Sequence, residues 1–250
     1  MWLPSRFVFI LAVSLLGLAT FSSVWFLAGC GEIFSPNDQT ESFFHETTNA
    51  KPGSGLPKPG TYKLERIFQV PAYQVLDSKG EVQPLSNYTQ GKLTLLTFFY
   101  QRCSDVNGCP YAIGVFHSVK DKLEKHKMSQ AVRLVNISFD PERDTPVMMA
   151  GLEKQMKGTS QPENRVEWNF VTTPSVNHLL PLIDAFGQNV DIELDPKTGD
   201  QTLTYQHVLK VFLIDEKGSV REIYSTSYLD AEILLNDIKT LLLEQKDILN

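Results

Sequence analysis

The chain has 250 residues, 42% apolar and 21% charged, with a net charge of −6 and a pI of about 5.4. That is room for one domain of ordinary size plus extra segments. An acidic chain with no basic stripe argues against a nucleic-acid partner, and three cysteines are too few for a disulfide scaffold. There is no internal repeat of solenoid or propeller period, no nucleotide-binding glycine motif and no serine-hydrolase elbow.

Arg6 is the only charge before Glu32, and residues 7–29 between them are apolar. A positive start followed by an apolar stretch is an export signal, and this one is long enough to cross a bilayer, which takes roughly 20 residues. Residues 1–29 therefore read as a signal peptide or an uncleaved membrane anchor. The stretch ends in Leu27-Ala28-Gly29-Cys30, which resembles a bacterial lipobox and makes Cys30 the expected lipidation site. Both readings put residues 31 onward outside the cytoplasm on a membrane, on the periplasmic side, inner or outer membrane undecided. Residues 30–60 are rich in Pro, Gly, Ser, Thr and Asn and read as a flexible linker with a reach of roughly 30 Å.

Residues 61–250 read as one α/β domain. The segments 64–70 and 71–77 are short strand candidates followed by a Ser78-Lys79-Gly80 turn. Residues 92–100, KLTLLTFFY, form a near-continuous apolar run, the mark of a strand buried on both faces of a sheet. From Pro110 the period becomes helical through Ile113, Phe116, Val119 and Leu123. Residues 131–139 are a second buried strand. Thr145-Pro146 opens a helix to about Met156, with proline where its missing N–H costs nothing. Residues 168–173 are strand-like and 174–187 helical. Residues 208–215 and 219–225 flank a Glu216-Lys217-Gly218 turn as a hairpin, and 230–248 close the chain as an amphipathic helix. Alternation of strands and helices gives parallel pairing, and the terminal hairpin makes the sheet mixed. The order predicts a thioredoxin-like fold, a central mixed sheet flanked by helices.

The chemistry concentrates in residues 99–110, FYQRCSDVNGCP. Cys103 leaves the buried strand at its carboxyl end, where α/β sheets bind ligands. Cys109 precedes Pro110 and is expected as the helix N-cap, where the helix terminus lowers a thiol's pKa. On one continuous helix the two sulfurs would point about 120° apart and lie about 9 Å apart along the axis. Convergence therefore needs a loop between them, and Asn107-Gly108 permits one without compelling it. A disulfide here would close a loop of only about seven residues, worth about 2.4 kcal/mol, which is a weak motive for the pair. Of the five histidines, His45 falls in the linker, His126 near a helix end, and His117 and His178 in helical patterns, where a helix-surface position is expected. His207 stands just before the strand 208–215, whose entering loop faces the cysteine turn in a thioredoxin-like fold. It is a candidate third metal ligand or a strand-entry histidine.

The stretches LLTFFYQRCSDV followed by CP, ISFDPERDTP and YQHVLKVFLIDEKGSV together resemble the Sco/SenC family of copper chaperones of cytochrome oxidase assembly, over about residues 62–245. The resemblance implies a thioredoxin-like fold and a copper site of Cys103, Cys109 and His207. It also implies, as partner, the copper-containing subunit of a respiratory oxidase or a similar membrane enzyme. Two thiolates and an imidazole suit Cu(I), with Cu(II) left open, and zinc would want a fourth ligand, for which Asp105 is the nearest candidate. The family usually spaces its cysteines three apart, whereas five residues, Ser104–Gly108, intervene here, so the chain looks like a variant with a two-residue insertion. Asp140, at a strand end near the site, is a candidate for supporting the metal ligands, and Asp144 or Thr145 is expected to cap the following helix. Met148 and Met149 read as core packing. Three functions follow for comparison. The first is a membrane-tethered carrier of Cu(I). The second is a thiol–disulfide oxidoreductase in which Cys103 and Cys109 act on partner cysteines. The third is a peroxide-reactive protein with one oxidisable cysteine.

Overall fold

A computed structural model describes residues 55–158, 160–188, 190–194 and 201–249. The apolar leader, Cys30, His45 and most of the 30–60 linker lie outside the described residues. Among the described residues no helix is long and apolar enough to cross a membrane.

The chain begins with β1 (Phe68–Gln69), then β2 (Gln74–Leu76), β3 (Val82–Pro84) and the single turn α1 (Ser86–Thr89). The central elements follow as β4 (Leu93–Phe99), α2 (Cys109–Lys125), β5 (Val132–Ser138), α3 (Pro146–Met156) and β6 (Glu167–Val171). The remainder is α4 (Val176–Ala185), β7 (Val190–Leu194), β8 (Gln201–His207), β9 (Lys210–Ile214), β10 (Ser219–Ser225) and α5 (Ala231–Leu249). Six strands make one sheet in the order β1-β10-β9-β4-β5-β6. β4, β5 and β6 run parallel, and β9, β10 and β1 are added antiparallel on the other side. This is the mixed, thioredoxin-like sheet expected from the order of elements.

β4 and β5 are buried at every position, because both faces of the sheet are covered, and this is why apolar residues predominate in them without strict alternation. The core includes an aromatic cluster under the carboxyl ends of these strands. Phe98 stacks on Phe139 with centroids 5.4 Å apart and meets Phe186 edge-on at 5.4 Å. Such offset and edge contacts add to the burial of each ring. The last helix turns Leu234, Ile238 and Leu241 into the core, with Ile233 and Leu242 partly buried against it.

Several expectations are refined. Of the candidate strand 64–70 only Phe68–Gln69 is strand, at the sheet edge, and Gln74–Leu76 pairs with β3 in a separate ribbon that one bridge, Leu76 to Thr172, ties to the residue after β6. β7 and β8 form a second ribbon, with Val190 opposite His207. The sequence reading left this hairpin out, although Ile192/Leu194 and Leu203/Tyr205 alternate with polar residues on either side of Pro196 and Gly199, a hairpin signature. The last residues assigned to the linker are held against α5: Asn236 donates its side-chain amide to the Pro57 carbonyl and the Gly60 N–H donates to Thr240 Oγ1.

Candidate metal centre

Three elements bring the site together at the carboxyl end of β4. The strand stops after Phe99, and a turn closed by the Cys103 N–H on the Tyr100 carbonyl, 3.2 Å, swings the first cysteine over the sheet. The five-residue stretch that follows is folded by Asp105. Its carboxylate accepts the Asn107 N–H at 3.0 Å and its carbonyl accepts the Gly108 N–H at 3.0 Å. Gly108 packs so closely that a Cβ there would stand 3.2–3.3 Å from Asp105 atoms, its backbone oxygen among them, which is the physical reason for glycine at this point of the loop. The chain then enters α2 with Cys109 as its first helical residue.

Cys109 is therefore not the N-cap. That position belongs to Gly108, and Cys109 sits one residue inside the helix with its side chain 3% exposed. The positive end of the helix and its free N–H groups still lie beside the sulfur. His207 arrives from the end of β8, not from a loop. Its ring lies against Phe139 at 4.7 Å and near Tyr100 at 6.3 Å between centroids. The position is fixed from behind by Gln188, 2% exposed, whose side-chain amide donates to the Val208 carbonyl at 2.8 Å.

The Cys103 and Cys109 sulfurs and a His207 ring nitrogen all lie within 4.8 Å of one another, with His207 Nε2 3.8 Å from Cys109 Sγ. A shared soft ion with sulfur at about 2.3 Å and nitrogen at about 2.0 Å holds trigonal donors about 4 Å apart, so the three donors stand nearly where such an ion would hold them. The other ring nitrogen, Nδ1, is buried with no partner among the described residues. The neighbouring Phe139 ring offers it none, so aromatic packing, not a hydrogen bond, orients the imidazole. Both cysteines are free thiols.

The two thiols are unlike. Cys103 is held down to about 5 first by a hydrogen bond from the Cys109 side chain, with backbone N–H groups of Cys109 and Asp105 and the Tyr100 side chain adding to it. Cys109 is pushed up by the same contact, being the donor to Cys103, and by burial. At neutral pH the pair thus carries one thiolate, the half-exposed Cys103, and one proton, kept on the buried Cys109.

The other sequence candidates fall around this cluster. Among the described residues the potential metal-ligating cluster contains no carboxylate. Asp105 organises its own loop as above. The Asp140 carboxylate pairs with Arg143, and its N–H donates to Ser138 Oγ at 2.9 Å. Asp144 is not the cap of α3. Thr145 occupies the N-cap position, without a side-chain cap hydrogen bond. Asp144, 1% exposed, instead accepts the Gln101 N–H at 3.0 Å and the Ser138 hydroxyl at 2.7 Å. It thereby ties the start of the cysteine turn to the end of β5, a role the sequence reading missed because nothing in DPERDTP distinguishes a buried tie from a cap. His117 and His178 lie on helix surfaces, His117 edge-on to Trp168 at 4.8 Å and His178 bonded through Nδ1 to Ser175 Oγ at 2.9 Å. Met149 is buried in the core as expected.

Among solved structures the fold matches a SCO1/SenC family lipoprotein from Bacillus anthracis str. Ames, at TM-score 0.56 and 21% identity over 70% of this chain and 95% of that one. It also matches Arabidopsis thaliana ScoI with copper bound, at 0.57 and 19% identity over 71% and 99%. A third match is BsSco, a member of the Sco family of cytochrome c oxidase assembly proteins with a disulfide switch, at 0.52 and 20% identity over 73% and 97%. No curated protein matches the chain in sequence. At these identities the structural likeness is one of fold. The family model SCO1/SenC, however, matches residues 65–243, from before the first strand to the last helix, and the chain belongs to the SCO1/SenC family.

Proposed function

We propose that this protein is an extracytoplasmic, membrane-tethered carrier that holds Cu(I) between Cys103, Cys109 and His207 and delivers it to a respiratory copper enzyme such as cytochrome c oxidase. The observation that carries this reading is the convergence of two sulfurs and one imidazole nitrogen within 4.8 Å from three separate elements. A dithiol enzyme has no need of the imidazole. The donor set is soft to borderline and matches Cu(I) in type and number. Copper bound to the Arabidopsis relative and the oxidase-assembly role of the BsSco family support it. The tether rests on the apolar leader and the Leu27-Ala28-Gly29-Cys30 sequence.

The residues have separable parts in the transfer. Cys103, already ionised and half-exposed, receives the ion first. Cys109 gives up its proton as the second sulfur closes, so loading releases about one proton at neutral pH. His207, fixed by Phe139, completes the set from the opposite ribbon. Three donors leave coordination room for a ligand of the acceptor, which enters past Cys103. Oxidation of the two sulfurs to a disulfide removes two donors at once, so loading requires the reduced protein. Copper analysis after anaerobic loading tests the reading: one Cu(I) per reduced chain is expected, and none after oxidation of the pair.

The unequal thiols favour a second reading. An ionised, accessible Cys103 beside a protonated, buried Cys109 is the arrangement of an attacking and a resolving cysteine in thiol–disulfide exchange. Reduction of a partner's oxidised copper-ligating cysteines by the same pair is the corresponding activity. Rapid reduction of a test disulfide by a protein that retains no copper would select it.

A further inference from the structure

Beside the cysteines the surface opens into a cleft of about 180 Å³ between α2 and α3. Its apolar wall is Phe99, Ile113, Leu152, Met156 and Phe170. Tyr100, Pro110, Cys103 and Cys109 complete the lining, together with one polar residue, the exposed Gln101. An apolar cavity of about 150 Å³ accommodates one benzene ring, so this cleft has the size of a single large side chain and not of a drug-sized ligand. Two exposed apolar side chains stand near it, the first in an otherwise polar turn. Val106, in the cysteine loop, is 75% exposed, and Val208, next to His207, is 62% exposed.

We infer that the cleft is a socket for one aromatic or large aliphatic side chain adjacent to the accepting cysteine of the partner protein. The geometry forces the association. An acceptor must bring its own sulfur to the gap between Cys103 and Cys109, and both of these residues also line the cleft. The residue flanking that sulfur therefore stands over the cleft mouth. A polar side chain there would lose its water without gaining a partner, whereas an apolar one leaves water for a preformed apolar site. Burying it holds the partner's sulfur at the site while ligands or electrons are exchanged. The socket thus makes the residue beside the acceptor's cysteine a determinant of partner choice.

This deepens the proposed reading of the site and rests on it only in that a partner's sulfur must reach Cys103. The test needs no copper. Two short peptides, cysteine followed by phenylalanine and cysteine followed by serine, are converted to mixed disulfides with thionitrobenzoate and added to the reduced full-length chain. The Cys103 thiolate attacks the peptide sulfur, forming a Cys103–peptide disulfide and expelling thionitrobenzoate, which is read by its absorbance. Cys109 then attacks the Cys103 sulfur, its proton passing to the departing peptide thiolate, and the protein ends as a disulfide with the peptide reduced. After normalisation to each peptide's rate with a free dithiol, the phenylalanine peptide is expected to react about tenfold faster at low concentration. Leu152→Trp, which fills the cleft from α3, and Ile113→Trp, which fills it from α2, are each expected to erase that preference, read as the ratio of the two peptides' normalised rates within the same folded variant. Equal normalised rates with wild type overturn the proposal, as does a preference retained in either folded variant. Copper binding measured on the same wild-type sample fails or succeeds independently of this result.

Discussion

His207 Nε2 stands 3.8 Å from Cys109 Sγ across 98 positions of sequence, and what holds it there is an aromatic ring. Phe139 is 2% exposed, stacks on Phe98 and carries the imidazole at 4.7 Å. Phe139→Leu is expected to lower stability by about 1–2 kcal/mol through lost packing. It should also weaken Cu(I) binding severalfold, because the imidazole loses the surface that orients it. Thermal unfolding and competitive Cu(I) titration read the two effects separately. An unchanged affinity would show that the ring is a core residue only.

The unequal thiols predict a pH profile. Cys103 is held down to about 5 from an ordinary value of 9.0, so its charged form predominates from just above pH 5 upward. Alkylation at Cys103 should stay on a plateau through neutral pH and fall by half near pH 5, where an ordinary thiol is already inert. Cys109→Ala removes the donor that contributes most to the shift and should move the midpoint several pH units upward. The folded state gains from the ionised Cys103 above the unfolded thiol's pKa, and that gain is lost as pH falls through the folded value. Peptide mapping after timed alkylation gives the midpoint, and one near pH 8–9 in wild type would remove the assigned asymmetry.

Asp144 predicts a local effect. Its carboxylate serves the Gln101 N–H and the Ser138 hydroxyl. Asp144→Ala leaves the buried Ser138 hydroxyl without its acceptor, at about 1–3 kcal/mol, and releases the Gln101 N–H of the exposed turn. Asp144→Asn keeps a carbonyl oxygen and should cost less. Hydrogen exchange at the Gln101 amide distinguishes a tie to the cysteine turn from general destabilisation. It should speed up in Asp144→Ala by more than the change in global stability explains.

How much of this was readable beforehand follows from where the information lies. Residues 92–100 and 131–139 announced buried strands because both sheet faces are covered, so apolar residues run through them without the two-residue alternation of a half-exposed strand. The thiol pair announced a site because the described domain holds no other cysteine. Convergence of the sulfurs was permitted but not compelled by spacing, since it depends on Asp105 accepting two backbone N–H groups of its own loop. Position before the strand 208–215 made His207 a candidate third donor and left a strand-entry role equally open; the family resemblance chose between them, because the β7–β8 ribbon that delivers the imidazole was not recognised. Of the two cap candidates Thr145 takes the N-cap position, and the tie made by Asp144 was not legible because its burial is set by β5 and the cysteine turn, outside its own short motif.

The central claim is that Cys103, Cys109 and His207 hold one copper ion together. Competitive titration of the reduced chain with a Cu(I) chelator, for wild type and His207→Ala side by side, tests it most directly. The account predicts one Cu(I) per wild-type chain, and affinity weakened at least tenfold (about 1.4 kcal/mol or more) in the variant, with thermal unfolding unchanged to within a few degrees. Equal affinities in two folded proteins would contradict it.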